Sequence, residues 1–123
     1  MLPTGKLSCQ RLPNNMACVG VVALLGGGEF DATGANEDID RQLLARADAT
    51  EVLVLPTADA FEHPQVAVEH AVEWFARLGA SATGLYVLTR PDALDEENAA
   101  AVAAARLMST HRPFRFSIST CAE

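Results

Sequence analysis

The chain has 123 residues, half of them apolar, a fifth charged and few aromatic. That length allows one domain or part of one, and that composition argues against a disordered polypeptide. The net charge of −7, with no cluster of Lys and Arg, argues against a nucleic-acid or anionic-membrane partner, because such binding begins with phosphate neutralisation. A small or cationic substrate is easier to host.

Residues 1–18 lack periodicity and mix Pro3, Gly5, Pro13 and Asn14-Asn15, so they read as a flexible extension, with Met16 an alternative start. They hold no apolar segment of signal-peptide length, so export is not expected. No run approaches the roughly 18 apolar residues of a membrane-spanning helix. Cys9, Cys18 and Cys121 are odd in number and lack any C-x-x-C spacing. Neither a disulfide framework nor a zinc site is expected, and a reducing cytoplasm fits best.

Val19 to Leu25 is an unbroken apolar run apart from Gly20, suited to a strand covered on both faces, and it enters Gly26-Gly27-Gly28-Glu29-Phe30. Three glycines permit backbone angles closed to other residues and let a ligand approach bare peptide groups. A helix is predicted from Asn36, at the N-cap, to Ala47, with Glu37 and Asp38 favouring its positive end and Ile39, Leu43, Leu44 and Ala47 on the buried stripe.

Glu51 to Leu55 is a second strand, ended by Pro56, and Thr57-Ala58-Asp59-Ala60 is the loop beyond it. A helix from Pro64 to Leu78 presents Val68, Ala71, Val72, Phe75 and Leu78 as its stripe and stops at Gly79. Ala82 to Leu88 reads as a third strand, Thr89 to Leu94 as a loop, and Asp95 to Leu107 as an alanine-rich helix opening on acids. Strands alternating with helices at these spacings predict right-handed β-α-β units, a parallel sheet and Rossmann-like layering. From Met108 the pattern breaks: Phe114, Phe116 and Ile118 alternate with polar residues and suit an edge strand, not an interior one.

Taken together, Gly27-Gly28-Glu29-Phe30, Ile39-Asp40, Leu43-Leu44, Val54-Leu55-Pro56-Thr57-Ala58, Phe75-Ala76-Arg77-Leu78-Gly79-Ala80, Leu88-Thr89-Arg90 and Asp92-Ala93 carry a family likeness. In order and spacing they resemble the cyanophycinase and aspartyl dipeptidase (dipeptidase E) serine peptidases of the class I glutamine amidotransferase-like superfamily, over roughly residues 20 to 106. The resemblance implies an α/β fold with three α-β-α layers and a parallel flavodoxin-like sheet, no cofactor, and a small peptide-like substrate. It also implies a serine nucleophile on a strand-to-helix turn, a histidine base, and an oxyanion hole built partly from a glycine pair. The chain has no glycine after Gly84 and no Gly-x-Ser-Ala-Gly turn, so no catalytic residue carries over.

The domain reading is therefore an extension over 1–18, the front half of such a domain over 19–107, and an atypical tail over 108–123. One explanation is a frameshift or early stop near Arg106, which translation of the downstream DNA in the other frames would reveal. The expected function is a serine-hydrolase-like domain that is catalytically incomplete. The alternative is a non-catalytic module that binds a small ligand or a partner, or self-associates through an exposed sheet edge.

The expected substrate-pocket edge comprises Gly27, Gly28, Glu29, Thr57 and Asp59, all at the carboxyl ends of strands, where open α/β sheets bind ligands. The alternative reading of Glu29 is that it ties down its glycine turn or a helix N-terminus, and that of Asp59 is that it caps the next helix. Asp31 stands where a G-x-G-x-x-G fingerprint needs glycine. His63 and His70, seven apart, are too distant on a helix to share a metal and read as surface or packing residues. Ser109, Ser117 and Ser119 lack the strained elbow and neighbouring base that activate a serine. Trp74 reads as a packing residue or a partner contact.

Overall fold

Two strongly amphipathic helices and a short, valine-rich strand set the architecture. In the computed structural model, which describes residues 20–25, 34, 36–110 and 115–119, the chain order begins with β1 (Val21–Leu25), α1 (Glu37–Ala47) and β2 (Glu51–Leu55). It continues with α2 (Pro64–Arg77), β3 (Ser81–Gly84), α3 (Arg90–Leu94), α4 (Glu96–Ala104), β4 (Leu107–Thr110) and β5 (Arg115–Ser119). The expected extension over 1–18 lies outside the described residues.

Each helix boundary has a local cause. Asn36 occupies the N-cap position of α1 but makes no side-chain cap bond. The acids Glu37, Asp38 and Asp40 in the first turn suit the helix dipole, and Glu37 pairs with Arg41 one turn on, at 2.8 Å. At its other end Asp48 adopts the left-handed conformation (φ 47°), which lets the N–H groups of Asp48 and Ala49 reach the carbonyls of Ala45 and Leu44. Pro64 opens α2, as expected from its missing N–H. Gly79 (φ 81°) closes it: Gly79 N–H donates to Ala76 and Ala80 N–H to Phe75, a Schellman closure that a residue with a Cβ would strain.

The sheet order is β1-β5-β4-β2-β3. β2 runs parallel to both β3 and β4, so the molecule is a mixed α/β protein with a three-stranded parallel segment. β5 is antiparallel to both its neighbours, which makes the whole sheet mixed where a parallel one was predicted. The edge-strand expectation for 114–118 is also corrected: β5 pairs on both sides, Val22 facing Ile118 and Ile118 facing Met108. Hydrogen bonding to two neighbours decides a strand's place, and a period-2 pattern does not report it.

The main hydrophobic cluster lies on one face of the sheet. Leu43, Leu44 and Ala47 of α1 and Val68, Ala71, Trp74 and Phe75 of α2 pack against Val52 and Val54 of β2 and Leu107 of β4. The stripe on α2 is turned slightly from the predicted one, since Ala67 and Trp74 are buried while Val72 is exposed. Between the two helices the Trp74 indole N–H donates to the Asp40 carboxylate at 2.8 Å. Both residues are almost fully buried, at 2% and 1% exposure. A buried charge is tolerated only when hydrogen-bonded, and this bond ties α1 to α2 on the same side of the sheet.

The connection from β3 to β4 steps back across β2, opposite in direction to the two crossovers before it. Right-handed crossovers then require α3 and α4 to lie over the other face. Ala101 and Ala104 of α4 accordingly border a cleft with Leu53 and Thr83, which alternate with the core-facing Val52, Val54 and Ala82.

Three boundaries differ from the sequence reading. β3 stops at Gly84 rather than Leu88, because its partner β2 ends at Leu55 and turns away through Pro56. Within the predicted loop Thr89 to Leu94, Arg90–Leu94 is the short helix α3, opened by a capping box between the N-cap Thr89 and Asp92. α4 ends at Ala104, and the predicted last helical residue, Leu107, opens the buried strand β4.

Candidate functional site

The carboxyl ends of β2 and β3 meet at one rim. Pro56 is buried and interrupts the ladder, and a single 3₁₀ turn, Thr57–Asp59, follows it. The Thr57 hydroxyl donates to the Val87 carbonyl at 2.8 Å, joining the loop after β2 to the segment after β3. Asp59 is 5% exposed; its N–H donates to Pro56 and its carbonyl accepts from Glu62. The N-cap position of α2 is His63, with no side-chain cap bond. Thr57 and Asp59 thus share one strand end, whereas Gly27, Gly28 and Glu29 lie outside the described residues.

A second anchor at this rim was not anticipated. Asp92 accepts from the backbone N–H groups of Leu88 (3.0 Å) and Thr89 (2.9 Å). Its bond with the Thr89 hydroxyl, then these two amides, hold the carboxyl below its ordinary value of 3.8, against a small opposing effect of desolvation. The signal was present in Thr89-Arg90-Pro91-Asp92, whose spacing is that of a capping box. Because its folded-state value is depressed, the stabilisation by ionised Asp92 is present above pH 3.8 and is lost as pH falls through the lower, folded value. The Leu88 and Thr89 amide resonances should therefore titrate together below pH 3.8. In Asp92→Asn that step should vanish; its persistence would assign the titration to another group.

Phe61, in the loop between the 3₁₀ turn and α2, is 100% exposed, and Tyr86 after β3 is half-exposed. Phe61 had no place in the sequence periodicity, whereas Tyr86 fell within the third strand as predicted and lies beyond the end of β3 in the structure.

The described residues show no nucleophile and base in partnership. The Ser81 hydroxyl is turned to the Thr50 carbonyl (3.4 Å), Ser109 is buried, and no hydrogen bond joins a serine to a histidine among the described residues. His63 and His70 are exposed. Among the described residues no group of three His, Cys, Asp or Glu is placed to hold a metal, and no helix is long and apolar enough to cross a membrane.

A cleft of about 420 Å³ lies elsewhere, between α4 and the amino-terminal half of β2. It is at the opposite end of β2 from Thr57, so this cleft and the expected rim are separate places.

No protein-family model, no curated protein and no solved structure matches this chain.

Proposed function

We propose that this chain is a serine-peptidase-like α/β domain, of the cyanophycinase and dipeptidase E type, that binds a small peptide-like ligand at the carboxyl rim of its parallel strands without hydrolysing it. The observation that carries this reading is the Thr57–Val87 hydrogen bond, which fastens two strand-end segments into one edge at the position where open α/β sheets take ligands. Val54-Leu55-Pro56-Thr57-Ala58 and Leu88-Thr89-Arg90, which carry the resemblance, are the segments that form that edge.

In intact members of such a family a serine attacks the peptide carbonyl, a histidine moves the proton, and backbone amides stabilise the oxyanion. Among the described residues this rim brings Thr57, Asp59 and Asp92 and backbone hydrogen-bonding groups together, with no serine–histidine pair. A second reading, a protein-docking module, is favoured by one observation: a phenylalanine held wholly in solvent at the same rim, Phe61.

Incubation with Asp-X dipeptides and β-linked aspartyl-arginine tests the reading. No turnover is expected, while the dipeptides should shift the backbone amides of Thr57 to Ala60 and Val87 to Thr89. Turnover that copurifies with the chain and survives replacement of each serine would refute the non-catalytic part. Dipeptides at millimolar concentration that leave all these amides unmoved would refute the binding part.

A further inference from the structure

α4 contributes no buried residue, and the side chains it turns to the cleft, Ala101 and Ala104, are short. The space left over is the cleft of about 420 Å³, within the usual size of small-ligand sites. Ala49, Leu53, Ala101 and Ala104 provide apolar wall, and Arg106, Glu51 and Asp48 provide its charges.

Those charges are not mutually satisfied. One terminal nitrogen of Arg106 donates to the Asp48 carbonyl (2.9 Å) and to its carboxylate (3.2 Å). Among the described residues the other guanidinium nitrogens have no hydrogen bond, and the Glu51 carboxylate has neither hydrogen bond nor ion pair. The Asp48 side chain is almost wholly in solvent, so its hold on Arg106 is the weak kind that water screens.

A ligand bearing only an anion would meet Glu51 and Asp48, and one bearing only a cation would meet Arg106. Both charges are answered by a molecule that carries a carboxylate and an ammonium on a small apolar body. We propose that this cleft binds a free, zwitterionic α-amino acid with an apolar side chain. Its carboxylate lies on the open fork of Arg106, its ammonium on Glu51, and its side chain against Ala101 and Ala104. The site is independent of the rim at Thr57 and does not rest on the function proposed for it.

Titration of the ¹⁵N-labelled chain with L-leucine, N-acetyl-L-leucine and L-leucinamide tests this. Leucine should bind saturably and shift the amides of Thr50 to Leu53 and of Ala101 to Arg106. Each blocked analogue, and each of Arg106→Gln and Glu51→Gln, should weaken binding about tenfold or more, the usual effect of losing a charged hydrogen-bond partner. Asp48→Asn should tighten leucine binding by releasing Arg106, and Ala104→Leu should abolish it by filling the cleft, thermal melts confirming that each variant is folded. The proposal is overturned if leucine does not saturate, if a blocked analogue binds as well as leucine, or if the responding amides are those of Thr57 to Ala60. That last pattern would leave the rim reading intact.

Discussion

Trp74→Ala should destabilise the fold by about 3–5 kcal/mol, the range found when a large buried aromatic is truncated. The indole is 2% exposed and fills the junction between α1 and α2, with the Arg77 guanidinium 5.3 Å above the ring centroid. Two effects are mixed in that figure, lost ring packing and a buried carboxylate, Asp40, deprived of a donor. Trp74→Phe separates them, since it keeps most of the ring and deletes only the N–H. A donor lost to a buried charge costs about 1–3 kcal/mol, so Trp74→Phe should retain roughly half of the stability that Trp74→Ala loses.

Asp40→Leu combined with Trp74→Phe closes a double-mutant cycle, in which the pair should show a coupling of about 1–3 kcal/mol. Urea unfolding with unchanged m-values is the measurement. A Trp74→Phe variant within about 0.5 kcal/mol of the parent would mean that the bond at 2.8 Å contributes nothing net.

That pair also marks where sequence reading stopped. Leu43, Leu44 and Ala47 at helical spacing identified the buried side of α1, and Pro64 and Gly79 identified both ends of α2, because each depends on residues within a turn of one another. Asp40 and Trp74 are separated by 34 positions, so no local pattern names the indole as the partner of that acid. Asp40 stands at helical spacing from Leu43, Leu44 and Ala47, on the buried side, but a stripe drawn from apolar residues alone passes over an acid.

β5 fails for the same kind of reason. Its alternating pattern is that of a half-exposed strand, while its interior position is decided by β1 and β4, which are remote in sequence or joined by a hairpin. At the rim, Thr57 was legible from its position after Pro56, but its acceptor on Val87 was not. Pro91 made Thr89 to Leu94 look like a loop, although a proline in the first turn, after a capping threonine, is equally a helix start.

Gly84→Ala should destabilise the chain by about 1–3 kcal/mol, the cost of overpacking a core contact. A Cβ at Gly84 would lie 2.8 Å from both γ-carbons of Val68 and 3.3 Å from a ring carbon of Tyr86. Tyr86 is half-exposed and can swing aside, so the tyrosine decides little. Val68 cannot, because a β-branched residue in a helix is held in one χ1 rotamer, and rotation that removes one methyl brings the other forward. Relief must come from moving α2 away from β3, which loosens the packing around Phe75 and displaces the segment that carries Val87. The Thr57–Val87 bond at the rim should weaken with it, so amide shifts at Thr57 should accompany the fall in Tm. At roughly 3–6 °C per kcal/mol for a domain of this size, the fall is easily resolved. Val68→Ala removes both offending methyls, and the double variant should be more stable than the sum of the two single losses by about 1–2 kcal/mol. If Gly84→Ala melts with the parent, or the two losses simply add, then β3 and α2 are not in the close contact on which the rim's geometry depends.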